Sequence, residues 1–231
     1  MSRAWGGRRA PLALLLASIV TGSAPVLAHD APRWEDEFIK GVFSPSFVPP
    51  PPGSYELPIV AKVGSFVLRD AAGHRVSTDS VMSGKVAVVS FIYTACSDRL
   101  GCPLASAALG DLQARLRDEG LGREAVLLTI SFDAERDTPA QLTKYAKAFD
   151  ADPALWRFMT APSERVLDDL LRSYGQDRAP VYDKRGRFTG RYRHVLKVFL
   201  VDRAGQIRNV YSTGFLVPQV VVNDIKTVLS K

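Results

Sequence analysis

The sequence has few of the side chains that most often bind metals or carry redox chemistry. Only two of its 231 residues are cysteines, Cys96 and Cys102, and only three are histidines. A structural zinc site takes four protein ligands, so two cysteines and three scattered histidines disfavour zinc. Both cysteines lie in one short stretch of the chain, and any thiol chemistry is therefore confined to that stretch.

A basic stripe interleaved with aromatic residues, the usual footprint of a nucleic-acid-binding protein, is also missing. The chain has 30 basic and 24 acidic residues, a formal net charge of +6, and Arg3, Arg8 and Arg9 lie within its first ten residues. The rest of the chain carries about +3, and its basic residues are dispersed. We therefore expect no nucleic-acid partner.

Residues 1–28 have the pattern of an export signal. A basic start is followed by an apolar stretch from Pro11 to Val20 and then by Val26-Leu27-Ala28, which fits the residues before a signal-peptidase cut. The alternative is that the segment is retained as a membrane anchor. Either outcome predicts a periplasmic protein, soluble after cleavage or anchored to the inner membrane.

Residues 29–56 form a proline-rich segment in which Pro49 to Pro52 are consecutive. Such a stretch cannot sustain a helix or an interior strand, so an extended polyproline-like backbone is predicted. Its aromatic residues indicate that it lies on the domain surface or on a partner, and residues 42–58 are a candidate partner-recognition element. The globular domain is predicted to span residues 57–231.

The chain is organised around residues 86–103. The run from Val86 to Tyr93 is apolar and lacks polar alternation, which predicts a strand buried on both faces. Cys96 and Cys102 follow in the loop before a predicted helix. Pro103 suits the first helical position, so Cys102 is expected at or near the N-cap, where the helix dipole would lower its pKa.

Two cysteines in one short loop of an exported protein leave three interpretations: a structural disulfide, a redox pair or part of a metal site. A disulfide across so short a loop removes little entropy from the unfolded chain, so stabilisation is a weak reason for one. A peroxidase of the peroxiredoxin type is disfavoured, because no proline precedes Thr94 and the spacing from Thr94 to Cys96 is one residue short.

The remaining pattern predicts an α/β domain with a central mixed sheet flanked by helices. A hairpin around Asp70-Ala-Ala-Gly73, with His74 solvated at its turn, precedes the central strand. A second buried strand over residues 124–132 follows the first helix, which implies parallel pairing. This order is that of a thioredoxin-like fold with an N-terminal β-hairpin. Helices are predicted over residues 104–119, 140–149, 163–174 and 219–229, and strands over residues 155–160, 194–201 and 206–211.

His194 is the third candidate for the site. It is predicted to open the strand from His194 to Val201, which in this topology lies beside the central strand and brings its start near the cysteines. A lone histidine before an apolar strand is also typical of a boundary residue. Residues 176–193, which precede it, are a charged stretch to which no element is assigned.

Several separated motifs resemble the Sco/SenC family of copper-binding, thioredoxin-like proteins, in the same order and over about residues 57–229. The motifs are Phe91-Ile-Tyr-Thr-Ala-Cys96, Cys102-Pro103, Ser131-Phe-Asp-Ala-Glu-Arg-Asp-Thr-Pro139, Tyr145-Ala-Lys-Ala-Phe149, and His194 ahead of Phe199-Leu-Val-Asp202. Asp133 and Asp137 in the third motif are candidates to orient the site or meet a partner, although helix capping explains them equally well.

The resemblance implies a copper ion, Cu(I) or Cu(II), held by Cys96, Cys102 and His194. It also implies an extracytoplasmic metallochaperone that delivers copper to, or helps assemble, a copper-containing respiratory oxidase or related redox enzyme. Its partner would be a copper-accepting client protein, for example an oxidase subunit. The competing interpretation is a thiol–disulfide oxidoreductase whose catalytic redox pair is Cys96 and Cys102, and that activity should survive loss of His194.

The inter-cysteine loop departs from the family pattern, because it holds five residues where the family usually has three. We expect Gly101 to adopt a positive φ that turns the loop back and lets the two sulfurs converge.

Overall fold

The structure, a computed structural model, describes Met1 and residues 47–212 and 214–230. The predicted export signal and most of the proline-rich segment lie outside the described residues. The elements in chain order are β1 (Ala61–Lys62), β2 (Val67–Asp70), β3 (Arg75–Ser77), α1 (Thr78–Met82), β4 (Val86–Ile92), α2 (Cys102–Asp118), β5 (Ala125–Ser131), α3 (Pro139–Ala148), β6 (Trp156–Thr160), α4 (Glu164–Tyr174), β7 (Arg178–Tyr182), β8 (Phe188–His194), β9 (Val198–Val201), β10 (Gln206–Tyr211) and α5 (Pro218–Leu229).

Eight of the strands form one mixed sheet in the order β1-β10-β9-β4-β5-β6-β2-β3. Strands β4, β5 and β6 run parallel, whereas every other pair is antiparallel. All seven residues of β4 and all seven of β5 are buried. The first was predicted as a strand buried on both faces and the second as a buried strand, and both predictions are confirmed.

Helices α3 and α4 begin at the capping residues that the sequence signals. Thr138 accepts a hydrogen bond from the Gln141 amide at the start of α3, and Ser163 accepts one from Val166 at the start of α4. Gly175 ends α4 in the left-handed conformation at φ 59°. The predicted fold class, a mixed sheet flanked by helices, is confirmed.

The main core lies between the sheet and α4. Phe91 on β4 meets the rings of Tyr174 at 5.1 Å and Phe199 at 5.9 Å, both edge to face. Leu167 and Leu170 of α4 are fully buried in the same cluster. This packing fixes the carboxyl end of β4, after which the cysteine loop begins.

The chain forms one hairpin that the sequence interpretation missed. Residues 178–194 contain β7 and β8, a two-stranded antiparallel sheet that is not hydrogen-bonded to the main sheet. The N-terminal hairpin of β2 and β3 was predicted and is confirmed. The short strand β1 was not predicted, and it pairs with β10 at the far edge of the sheet.

The described part of the proline-rich segment packs along α5. The Gly53 amide donates to Thr227 at 2.9 Å, and the Asn223 side chain donates to the Pro50 carbonyl at 2.9 Å. The Tyr55 hydroxyl donates to the carboxylate of Asp224 at 2.5 Å, and burial raises the pKa of Tyr55 to about 12. These residues therefore lie on the domain surface. The sequence analysis had predicted that the segment lies either there or on a partner.

Candidate metal centre

One turn leads into Cys96, and a second turn lies within the loop between the cysteines. The Cys96 amide donates to the Tyr93 carbonyl at 3.1 Å, and the Gly101 amide donates to the Asp98 carbonyl at 3.0 Å. The Asp98 carboxylate also accepts from the Leu100 amide at 3.1 Å, which closes the second turn. The second turn shortens the five-residue loop, and the two sulfurs lie close together despite the additional residues.

Gly101 performs its role in a different way from the one expected. Its φ is −101°, so the expected positive φ is wrong. A Cβ at this position would lie 3.3 Å from the Asp98 carbonyl oxygen and 3.3 Å from the Asp98 carboxylate. The glycine is needed because the backbone of the second turn passes so close to Asp98.

Cys102 is the first residue of α2 rather than its N-cap, which is Gly101. Its side chain is fully buried. Burial and the neighbouring Cys96 sulfur raise the pKa of Cys102 well above its usual value. The expected lowering of the Cys102 pKa by the helix N-terminus is therefore wrong, because loss of solvation outweighs the helix dipole at this position.

Cys96 is the more acidic thiol. The pKa of Cys96 is lowered to about 6. The largest cause is a hydrogen bond from the Cys102 thiol, backbone groups of Cys102 and Asp98 act in the same direction, and burial opposes them. Cys96 is half-buried and Cys102 is fully buried, so solvent reaches only the first sulfur. At neutral pH the pair therefore holds one negative charge, on Cys96, and one proton, on Cys102.

His194 ends β8, so its expected place at the start of the following strand is wrong. Its Nε2 lies 3.7 Å from the Cys102 sulfur, and its Nδ1 lies 3.4 Å from the carbonyl oxygen of Tyr192. With the proton on Nδ1, that nitrogen donates to the carbonyl and Nε2 presents its lone pair to the cysteines. The expected approach of His194 to the cysteine loop is found, although from a different strand.

The three side chains form one group. One ligand atom from each of Cys96, Cys102 and His194 lies within 4.8 Å of the other two. The imidazole is flanked by Phe132 at 4.9 Å and Tyr93 at 5.8 Å between ring centroids. The two rings restrict the orientations open to the imidazole, and the three side chains form a group that could hold a metal ion.

Asp137 forms hydrogen bonds with Thr94, at the start of the cysteine loop, and with Ser131. Its carboxylate accepts hydrogen bonds from the Thr94 amide at 2.9 Å, the Thr94 hydroxyl at 2.5 Å and the Ser131 hydroxyl at 2.6 Å. Burial raises the pKa of Asp137. Asp137 therefore links Thr94, two residues before Cys96, to the end of β5. The orienting role considered for Asp137 from the sequence stays a prediction.

Two arginines hold the β7–β8 hairpin, and with it His194, against the domain. Arg136 donates through Nε to Asp133 at 2.6 Å and through Nη2 to the Gly190 carbonyl at 2.9 Å. Arg178, the cross-strand partner of His194, donates to the Phe132 carbonyl and to Glu164. Both guanidinium groups also lie over the ring of Tyr192, at 5.7 Å and 5.2 Å.

Sequence reasoning missed this hairpin although its signal was present. Asp183-Lys-Arg-Gly186 repeats the Asp-x-x-Gly turn pattern that was used for residues 70–73 and 202–205. In all three turns the aspartate Oδ1 accepts from the backbone amides two and four residues further on. The same pattern at residues 183–186 would have predicted β7 and β8, and with them the position of His194.

Within the part of the chain that the structure describes, no helix is both long enough and apolar enough to cross a membrane. His74 lies at the first hairpin turn as expected, with Nδ1 3.6 Å from the Asp70 carboxylate, and its side chain is 77% exposed. It takes no part in the cysteine site.

The fold and the Cys–Cys–His group together define a thioredoxin-like protein with a potential metal site at its dithiol loop. Residues 58–230 match the SCO1/SenC family. Because this match covers most of the sequence, the chain belongs to the SCO1/SenC family, which confirms the resemblance inferred from the motifs.

Individual relatives agree with this assignment. The SCO1 protein homolog of Bacillus subtilis (strain 168) is 30% identical over 118 residues, which are 51% of this chain and 58% of that protein, so the match spans less than two thirds of the relative. Copper-bound ScoI of Bradyrhizobium japonicum is 26% identical with a TM-score of 0.60, covering 73% of this chain and 99% of that one. BsSco, described as a Sco family member with a disulfide switch and as a cytochrome c oxidase assembly protein, is 26% identical with a TM-score of 0.61, covering 75% and 96%.

Proposed function

We propose that this protein is an extracytoplasmic copper metallochaperone that holds copper through Cys96, Cys102 and His194 and transfers it to a client protein. The observation that carries the proposal is the convergence of these three side chains, from two separate elements, to within 4.8 Å of one another. Copper is the cargo here rather than a resident cofactor. The export pattern of residues 1–28 supports a periplasmic location.

The donor set fits copper. Thiolates are soft ligands that select Cu(I), and an added imidazole gives a site that also accommodates Cu(II). Binding requires both thiols to be deprotonated. The Cys102 thiol must lose its proton on binding, whereas Cys96 is largely a thiolate at neutral pH. Copper in such a site can be transferred, because Cys96 is half-buried and accessible to the ligands of a client.

The client that we propose is a copper-containing respiratory oxidase or a related redox enzyme. The family assignment supports this choice, together with the description of the BsSco relative as a cytochrome c oxidase assembly protein. In cells that lack this protein, we expect the activity of the copper oxidase to fall. The wild-type protein should restore that activity and a His194→Ala variant should not.

The direct test is a titration of the reduced full-length protein with Cu(I) against a competing chelator. We expect one tightly bound equivalent, and a loss of at least about a hundredfold in affinity for His194→Ala, since even loss of a ligand's supporting contact costs about 10–100-fold. His74→Ala is the matched control, because His74 lies in an exposed turn away from the cysteines, and it should bind as the wild type does. Equal affinity of all three proteins would refute His194 as a ligand.

A thiol–disulfide oxidoreductase is the second candidate, and the unequal exposure of the two sulfurs supports it. In this reaction the Cys96 thiolate attacks a client disulfide, forms a mixed disulfide and releases one client thiolate. Cys102 then attacks the Cys96 sulfur, so the client is fully reduced and the protein is left with a Cys96–Cys102 disulfide. Reduction of a protein disulfide by the metal-free protein, unchanged in His194→Ala, would support this function over the metallochaperone.

A further inference from the structure

The outer face of the β7–β8 hairpin carries two arginines beside the metal centre. Side chains alternate along a strand, so Arg191 and Arg193 lie on the face of β8 opposite to Tyr192 and His194. Val181 and Ala179 are their cross-strand partners on β7 and share that face. Both arginines are solvent-exposed.

A cleft of about 480 Å³ lies between β8 and the inter-cysteine loop, and residues from both faces of the strand line it. Its lining includes Ser97 and Asp98 from the loop, and Val181, Arg191, Arg193 and His194 from the hairpin. The proposed metal ligand His194 is therefore one wall of the cleft. A group that enters the cleft lies next to the metal centre.

The cleft has an excess of positive charge. Neither Arg191 nor Arg193 makes an ion pair with any residue in the described part of the chain. The single carboxylate in the lining is that of Asp98, which already accepts a hydrogen bond from the Leu100 amide. The cleft on the other side of the hairpin, next to α4, has an excess of acidic groups, because four carboxylates (Glu135, Glu164, Asp168 and Asp177) and two arginines (Arg172 and Arg178) line it.

We propose that the cleft containing Arg191 and Arg193 is the docking surface for an acidic segment of a partner protein. Guanidinium groups bind carboxylates through paired hydrogen bonds, and two arginines at positions i and i+2 of one strand present two such groups side by side. This inference rests on the proposed function, because a protein that transfers copper must dock its client close to the ligands.

A protein segment fits the cleft better than a small anion. The two arginines are exposed to water, where a single ion pair contributes about 0–1 kcal/mol, so a small carboxylate would bind weakly. A protein segment can form several such ion pairs and also contact Cys96. Once one of these contacts has formed, the others form within the same complex and strengthen binding. Charges at this position also raise the rate of encounter with an acidic partner.

The test uses thiol exchange, so it does not depend on copper. Two synthetic peptides, identical except that the central cysteine is flanked by glutamates or by lysines, each carry that cysteine as a 2-pyridyl disulfide. The Cys96 thiolate forms a disulfide with the peptide cysteine, and 2-thiopyridone leaves and is followed by its absorbance. At low salt we expect the glutamate peptide to react at least about tenfold faster than the lysine peptide with the reduced full-length protein.

The variant Arg191→Glu/Arg193→Glu should abolish or reverse this preference, and high salt should weaken it in the wild type. The matched control is Lys184→Glu/Arg185→Glu, which makes the same change of charge in the hairpin turn outside the cleft lining and should keep the preference. The neutral reagent 2,2′-dithiodipyridine should react equally with all three proteins, which shows that the cysteines themselves are unchanged.

A wild-type protein without preference for the glutamate peptide, or a preference that survives Arg191→Glu/Arg193→Glu, would overturn the proposal. The small dianionic disulfide 5,5′-dithiobis(2-nitrobenzoate) is tested with the same variant. If its reaction rate falls by the same factor as that of the glutamate peptide, the cleft binds small anions and the proposal of a protein segment is wrong. Cu(I) titration of the same variants separates the two hypotheses. If Arg191→Glu/Arg193→Glu keeps the wild-type copper affinity but loses the peptide preference, the result supports both the metallochaperone function and the docking surface. If the wild-type protein binds no copper, only the proposed function is refuted.

Discussion

Replacing Arg136 with methionine tests whether the hairpin contacts position His194. Arg136 bridges two parts of the structure: it donates to Asp133 in the loop before α3 and to the Gly190 carbonyl in β8. Its guanidinium group also lies 4.9 Å from the centre of the Phe188 ring. Because β7 and β8 make no hydrogen bonds with the main sheet, loss of Arg136 leaves Arg178 as the principal polar contact that holds this hairpin.

The magnitude follows from these contacts. A hydrogen bond to a charged group contributes about 1.5–3 kcal/mol, and an exposed cation–π contact about 0.5–1 kcal/mol. The Arg136 side chain is 38% exposed, so solvent screens part of its attraction, whereas the Asp133 side chain is only 2% exposed and would lose its counter-ion. We expect Arg136→Met to lower the free energy of unfolding by about 2–3 kcal/mol. Copper affinity should fall about 10–100-fold, the usual cost of losing a contact that orients a ligand.

The assay combines urea denaturation with Cu(I) competition titration of the full-length protein. Arg157→Met is the matched control, because the Arg157 side chain is 37% exposed and pairs with Asp70 on β2, away from the cysteines. It should lose stability without losing copper affinity. Arg136→Lys should fall between wild type and Arg136→Met, since an ammonium cannot reproduce the planar fork of the guanidinium group. Wild-type copper affinity in a destabilised Arg136→Met would refute the positioning role.

Three further predictions follow from the same geometry. Gly190→Ala should reproduce the copper defect of Arg136→Met in the same titration, because a Cβ at Gly190 would lie 2.6 Å from the Arg136 Nη1 and its φ is +78°; an unchanged affinity would contradict the packing described. Alkylation of the reduced protein by iodoacetamide should rise as pH increases through about 6, the pKa of Cys96, because the reactive thiolate forms above it. Cys102→Ala should move that midpoint upwards towards an ordinary thiol, and an unmoved midpoint would show that the Cys102 hydrogen bond is not the cause. Asp137→Asn should lower the urea midpoint by the equivalent of about 2 kcal/mol, because an amide cannot accept from all three donors that the carboxylate satisfies; an unchanged midpoint would exclude this network as a support of the loop.

The sequence predicts the core of this protein better than its edges. Strands β4 and β5 consist mostly of apolar residues and are buried along their whole length, so their composition identifies them. The β7–β8 hairpin lacks such an apolar composition, because exposed arginines alternate along β8 with a half-buried tyrosine and histidine. Only its turn pattern at residues 183–186 marks it in the sequence. Arg178, which lies in an unassigned charged stretch, holds the hairpin through contacts with Phe132 and Glu164 that are distant in sequence. No local pattern encodes such contacts.

The thiol acidities could not be predicted for a related reason. The sequence correctly indicates that Cys102 lies at the start of a helix, where the dipole favours a thiolate. Whether the dipole or desolvation decides the pKa depends on how deeply the sulfur is buried, which is a property of the packing around it. Cys102 is fully buried and Cys96 is not, so the negative charge resides on the sulfur that lies outside the helix.

The three proposed copper ligands lie in two parts of the structure that are held in place by different contacts. Cys96 and Cys102 lie at the junction of β4 and α2, where Cys102 is part of the core, whereas His194 belongs to a hairpin held mainly by Arg136 and Arg178. The proposed docking residues Arg191 and Arg193 are on the same strand as His194. A partner bound to them therefore contacts both the strand that carries the imidazole and, across the cleft, the loop between the two cysteines.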